Sequence, residues 1–216
     1  MLALGGALAG SSGALGARPS HGTRCLTTTV RRRLVRISGL ARYRYEQERG
    51  GAAVHQARSR IERNTALAGD LAAGDVAAAQ LLADGLLVRH VVRIRITLDG
   101  RALVDANPGS FAVAGAIGQL RGPRGRRLGR LGRLGRLDVT IQDVAGYIKL
   151  VHKFSGGQVV VRGSSGRLLA TQPRLVAAAT PALGCVRVAG GTYAVRTFPE
   201  PGFAGERLSV EVLTPA

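Results

Sequence analysis

The chain has no tryptophan, one methionine, four phenylalanines and four tyrosines in 216 residues. With aromatics at 4%, any core must be assembled mainly from Val, Leu, Ala and Ile, and a hydrophobic content of 45% suffices for one domain of ordinary size plus tails. No stretch approaches about 18 continuous apolar residues, so no transmembrane helix is encoded. Cysteine is nearly absent too. Cys25 and Cys185 stand alone, without a CxxC, which argues against a zinc or redox motif. A disulfide between them requires an exported chain that keeps its N-terminal tail; two unpaired cysteines is the favoured reading. None of the four histidines, His21, His55, His90 and His152, falls at HxxxH or HExxH spacing, so neither a metal nor a cofactor is expected.

Acidic residues are scarce: 13 against 31 basic ones, for a net charge of +18. Lysine is scarcer still, because Lys149 and Lys153 are the only two. A chain rich in Arg, Ala, Gly and Val and nearly empty of Lys is what GC-rich coding produces, and solvated arginines tolerate such drift at little cost. The alternative is an electrostatic footprint for nucleic acid, made by an Arg-rich leader and the repeat LGRLGRLGRL at 128–137. No aromatics interleave with the repeat's arginines, which weakens a base-stacking role. Catalytic motifs are missing. Ser164 and Ser165 sit in GSSG, which lacks the nucleophile-elbow pattern GxSxG; GAIGQLRG is not a dinucleotide loop; Asp138 and Asp143 are too weak a pair to assign acid–base work. An enzyme is not expected.

Residues 2–17 form a weakly apolar stretch of small residues ending in Leu15-Gly16-Ala17, an acceptable signal-peptidase site, so an extracytoplasmic location is expected. Residues 18–51 are polar and Arg-rich and read as the rest of a signal-like, basic, disordered leader. Arg31, Arg32, Arg33 and Arg36 beside Tyr43 and Tyr45 form a nucleic-acid or anionic-lipid arm in the alternative reading. Residues 52–90 show helical spacing at Val54, Ala57, Ile61, Ala68 and Leu71. Gly74-Asp75 breaks the run, Asp75 suits an N-cap, and Leu81, Leu82 and Leu86 are the expected buried positions of the second helix.

VVRIRITL alternates apolar and polar residues and meets Asp99-Gly100, the strongest short hairpin signal in the chain. RALVDA returns antiparallel. The central stretch is VTIQDVAGYIKLVHKF, 139–154: period-2 alternation at Val139 and Ile141 gives way to helical spacing at Tyr147, Leu150, Val151 and Phe154. A strand over about 137–142 therefore runs into a helix over 144–154, capped by Asp143 and stopped by Gly156-Gly157. Two hairpins follow, turning at 163–166 and at Gly190-Gly191, and ERLSVEVL is the last strand.

This order resembles the single-Cache, PAS-like extracytoplasmic sensor domains of bacteria, over roughly residues 52–213. The resemblance is carried by RIRITLDGRALVDA, TIQDVAGYIKLVHKF and the closing pair TYAVRTF and ERLSVEVL. It implies an α+β fold in which one antiparallel PAS/Cache-like sheet packs on a single central helix behind a long N-terminal helical arm. It also implies a small ligand held between the sheet and the connecting segments, and a protein partner for signal output. The resulting division is a leader at 1–51 and one Cache-like domain at 52–216. A small, anionic ligand calls for bidentate donors and a flat wall, and the candidate ligand-binding residues are Tyr147, Lys149, His152, Arg162 and Arg196. The expected function is a non-enzymatic extracytoplasmic sensor-like domain. A nucleic-acid-binding protein and a secreted structural domain without ligand are the alternatives.

Overall fold

A computed structural model describes residues 25–88, 90–122, 133–176, 182–188 and 190–216. The proposed signal segment and the first half of the LGR repeat, 128–132, lie outside them. Helix α1, Thr28–Gly50, comes first; Thr27 caps it by accepting from the Val30 amide at 3.3 Å. Leu34, Ile37, Ala41 and Tyr45 recur at three- and four-residue steps, and all four are buried. This corrects the disordered leader, which ended at residue 51. Arginine is a good helix former, and the arginines between those four positions mask the apolar stripe in a composition-based reading. α1 packs on the core helix and sheet described below, so 28–50 belongs to the folded body.

Three short helices follow where the sequence pattern indicated two: α2 Ala52–Glu62, α3 Thr65–Ala73 and α4 Val76–Gly85. The extra break comes from Asn64, whose side chain accepts from the Leu67 amide at 2.9 Å and starts α3. In α4 the buried positions are Ala79 and Ala83; Leu82 and Leu86 are half-buried, and Leu81 points to solvent. The small Ala face lets α4 lie close to the sheet. There Gln80 exchanges hydrogen bonds with the backbone of Asp105, accepting at 3.0 Å and donating at 3.3 Å.

The strands are β1 Arg93–Leu98, β2 Arg101–Ala106, β3 Ala116–Arg121, β4 Arg133–Thr140, β5 Gln158–Gly163, β6 Leu168–Ala170, β7 Leu183–Val188, β8 Gly191–Pro201 and β9 Arg207–Pro215. The fold is α+β with antiparallel sheets and an N-terminal helical arm, as expected. The strands divide between two sheets rather than forming one. The first has four strands in the order β2-β1-β4-β3, and the second has five in the order β6-β5-β9-β8-β7. Helix α5, Val144–Ser155, joins them and is capped as expected by Asp143, which accepts from the Gly146 amide at 2.6 Å. Alternation marks a strand and its buried face but not its neighbours. Here α5 carries the chain away from β4, so β5 pairs with β9.

Each sheet has its own helices. Ile94, Ile96, Leu137 and Val139 of the first sheet pack under α2–α4. Val159, Val161, Val210 and Val212 of the second pack against α1 and α5. Two backbone bridges, Ala112 to Asp143 and Val113 to Gly202, tie the segment after β2 to both halves. Gly115 is required beside them: a Cβ there would stand 1.8 Å from the Val139 carbonyl oxygen. The turn Asp99-Gly100 has positive φ at both residues, +49° and +79°, the two-residue hairpin geometry that its sequence signals.

Candidate functional site

β7 is the edge of the second sheet, and α1 crosses the same face further in, so a strip of sheet beside α1 has no helix over it among the described residues. Alternation along β8 turns Ala194, Arg196 and Phe198 toward α1, and Leu183 of β7 stands opposite Arg196 in the register. The result is a groove of about 510 Å³ between α1 and the β7–β8 hairpin. Its floor is Leu34 and Phe198, both at least 98% buried, and its rims are Val35 and Leu183, which are 58% and 55% exposed.

Three cations stand over this apolar strip: Arg31 and Arg42 from α1, and Arg196 from β8. No acidic residue lines the groove among the described residues, and none of the three arginines forms an ion pair there. Arg31 is oriented by its Nε donating to the Leu26 carbonyl at 3.1 Å. Arg42 stacks over the Phe198 ring at 4.7 Å and also lies in the field of Glu200 beyond the groove. Arg196 makes no hydrogen bond with the described residues, so its five donors are open toward the groove's end of the sheet.

The walls of the groove are joined covalently. Cys25, three residues before α1, is bonded to Cys185 of β7, with Cα atoms 6.1 Å apart. This corrects the reading of two unpaired cysteines, which placed Cys25 in a tail detached from the fold; Cys25 leads directly into α1, which packs on the second sheet. Because Leu183 and Cys185 share one face of β7, the bond fastens the start of α1 beside the groove.

The five residues singled out in the sequence do not converge. Tyr147 is fully buried; its hydroxyl donates to the Ala41 carbonyl at 3.0 Å, and burial pushes the phenol well above its usual range. Lys149 and His152 share a second, smaller cleft of about 310 Å³ with Ile148, Leu169 and Thr171. His152 Nδ1 lies 2.9 Å from the Gly157 carbonyl, which can only accept, so that nitrogen carries the proton. Arg162 is on the opposite face of the second sheet, donating to Glu211 at 2.7 Å and to the Val176 carbonyl at 3.1 Å. Only Arg196 lies in the groove. Of the repeat's arginines, Arg136 is held by Asp138, with three contacts from 2.8 to 3.2 Å.

Arg31 appears in the sequence as part of a basic run, while Arg42, Leu34, Leu183 and Phe198 carry no sequence signal of a site. The one available hint was the helical spacing inside the arginine-rich segment.

Solved structures similar to the chain include one periplasmic domain and two chemoreceptor ligand-binding domains. The crystal structure of the periplasmic domain of Vibrio cholerae LuxQ matches with a TM-score of 0.46 and 12% identity, over 85% of this chain and 100% of that one. The ligand-binding domain of the Pseudomonas fluorescens chemoreceptor CtaA, solved with L-alanine, matches with a TM-score of 0.41 and 12% identity, over 84% and 96%. That of the Pseudomonas aeruginosa amino acid chemoreceptor PctB, solved with L-Arg, matches with a TM-score of 0.33 and 11% identity, over 74% and 88%. No family model matches the chain, and no curated protein does. The architecture described above stands on this chain's own strand pairing, and no helix among the described residues is long and apolar enough to cross a membrane.

Proposed function

We propose that this protein is an extracytoplasmic, non-enzymatic sensor-like domain that binds a small anionic molecule in the groove between α1 and the β7–β8 hairpin. The observation that carries the reading is the set Arg31, Arg42 and Arg196 over an apolar floor, with no acidic residue in the lining among the described residues. Arginines in this setting gain from an added anion, because Arg offers paired donors that a carboxylate or phosphate matches.

The disulfide supports the compartment. A bond between Cys25 and Cys185 persists where the surroundings are oxidising, outside the cytoplasm. Cys25 also lies downstream of the proposed cleavage site at residue 17, so a processed chain keeps it.

The test is a thermal-shift screen of the chain against small carboxylates, amino acids, nucleobases and a short oligonucleotide, at low and moderate salt. Anion binding at about 100 times the dissociation constant stabilises by roughly 2.7 kcal/mol, a shift of several degrees in a domain this size. The expected result is a shift with small anions that Arg196→Ala removes. A shift with the oligonucleotide alone, lost on adding salt, moves the function to nucleic acid. If Arg196→Ala leaves every anion-induced shift intact, the site lies elsewhere, and the Lys149–His152 cleft is next.

A further inference from the structure

The groove selects for more than charge. Among the described residues its three cations have no carboxylate beside them in the lining, so nothing there receives the ammonium of an amino acid. Its long dimension is apolar: Leu34 and Val35 of α1 lie between Arg31 and Arg42, and Leu183 faces them from the edge strand. From Arg31 to Arg42 the helix rises about 16 Å, which exceeds the length of an eight-carbon chain. A ligand that satisfies both features has an anionic head without a neighbouring cation and an aliphatic or aryl tail.

We infer that the groove between α1 and the β7–β8 hairpin is a site for amphipathic carboxylates, medium-chain fatty acids or arylalkanoates, with Arg196 taking the carboxylate and the Leu34–Val35–Leu183–Phe198 strip taking the tail. This rests on the groove being the anion site proposed above, and it sharpens that reading by excluding α-amino acids from it. Arg196 is the head-group residue because it alone of the three makes no hydrogen bond or ring contact with the described residues. Leu183 is its register partner on β7, so a carboxylate bound at Arg196 places its first methylenes on the Leu183 side chain. The exposure of Val35 and Leu183 is the apolar surface that such a tail removes from water.

The experiment is calorimetric titration of the full, oxidised chain with acetate, hexanoate, octanoate and decanoate, alongside octylammonium and L-alanine. Full burial of a methylene tightens binding roughly fourfold, and an open groove realises part of that, so each step of two carbons is expected to tighten binding at least about threefold. Octylammonium and L-alanine are expected not to bind. Arg196→Ala is expected to weaken octanoate at least about tenfold, in line with the loss of a charge-assisted pair. Leu183→Ser is expected to abolish the dependence on chain length while acetate still needs Arg196; Leu183 is exposed and Arg196 half-buried, and a urea midpoint for each variant checks that it folds. If acetate and octanoate bind equally and both need Arg196, the anion site stands and the amphipathic class is overturned. If octylammonium binds as well as octanoate, the groove is merely greasy and the proposal falls. If no carboxylate binds, both the class and the anion site fall. A concentration-dependent dimer, unaffected by octanoate and broken by Leu183→Ser, puts a second copy of the chain in the groove and also overturns it.

Discussion

Tyr45 and Tyr147 meet edge to face between α1 and α5, with ring centroids 5.4 Å apart and planes at 88°. Each hydroxyl is used. That of Tyr147 donates to Ala41 of α1, and that of Tyr45 donates to the Pro201 carbonyl while accepting from the Ala114 amide at 3.2 Å. Tyr45 thus ties the helical arm to the end of β8 and to the segment that bridges the two sheets. Burial raises the pKa of both phenols above the usual range, so both remain neutral donors at any pH the fold survives.

Tyr45→Phe keeps the ring contact and removes the hydroxyl, leaving a buried amide and a carbonyl each short of a partner. The expected loss is about 2–3 kcal/mol, or roughly 5–10 °C in Tm, since an unmet buried polar group costs about 1–3 kcal/mol. Tyr147→Phe removes one bond from the Ala41 carbonyl, which still accepts within α1, and is expected to cost less, about 1 kcal/mol. Urea unfolding of the two variants ranks them; equal losses would mean that the Tyr45 hydroxyl does not bridge.

The disulfide closes a ring spanning 160 residues of sequence separation. Chain-entropy reasoning gives a contribution near 5 kcal/mol for a loop this long, and measured removals fall at about 2–5 kcal/mol. Thiol titration of the denatured, unreduced protein should find no free thiol, and dithiothreitol should lower the urea midpoint by a corresponding amount. Because the bond fastens α1 beside the groove, reduction is also expected to weaken any ligand held there.

Arg162 donates to Glu211, whose side chain is 3% exposed, across the second sheet. Arg162→Ala strands a buried carboxylate and is expected to cost about 3–5 kcal/mol, whereas Arg162→Met combined with Glu211→Leu is expected to be nearly neutral. Chemical denaturation of both variants checks the pair. A mild single variant would mean that water reaches Glu211.

Glu200 has its pKa raised, first by burial and then by Glu46, with Arg42 and Arg49 opposing. The folded state therefore holds this proton more tightly than the unfolded state. It carries more protons in the pH window just above the ordinary carboxylate value of 4.5, and stability falls as pH rises through that window. Glu200→Gln is expected to raise Tm at pH 7 by about 1–3 °C and to bring no gain below pH 4. A gain independent of pH would assign the effect to something other than ionisation.

The local signals in the sequence read true. Asp99-Gly100 forms its two-residue turn, Asp143 and Asp75 cap their helices, Gly156 ends α5 in the left-handed region, and the alternation of VVRIRITL buries Ile94 and Ile96. Each of these is decided within a few residues by backbone sterics, orphan amides or strand periodicity. α1 was legible in principle, through Leu34, Ile37, Ala41 and Tyr45, but the arginines between them made the segment look like a solvated leader.

What lay beyond reading was every relationship set by distance along the chain. Alternation cannot choose partners, so whether β5 joined β4 or β9 depended on α5 carrying the chain to a second sheet. Spacing could not bring Cys25 to Cys185, nor Arg31 and Arg42 to Arg196. The sequence by itself determined the Asp99-Gly100 turn, the Asp75 and Asp143 caps, the end of α5 and the buried face of β1, because those follow from local geometry. Only the tertiary structure decided the division into two sheets, the disulfide and the groove, because these depend on where α1 lands on the second sheet and which strip it leaves uncovered.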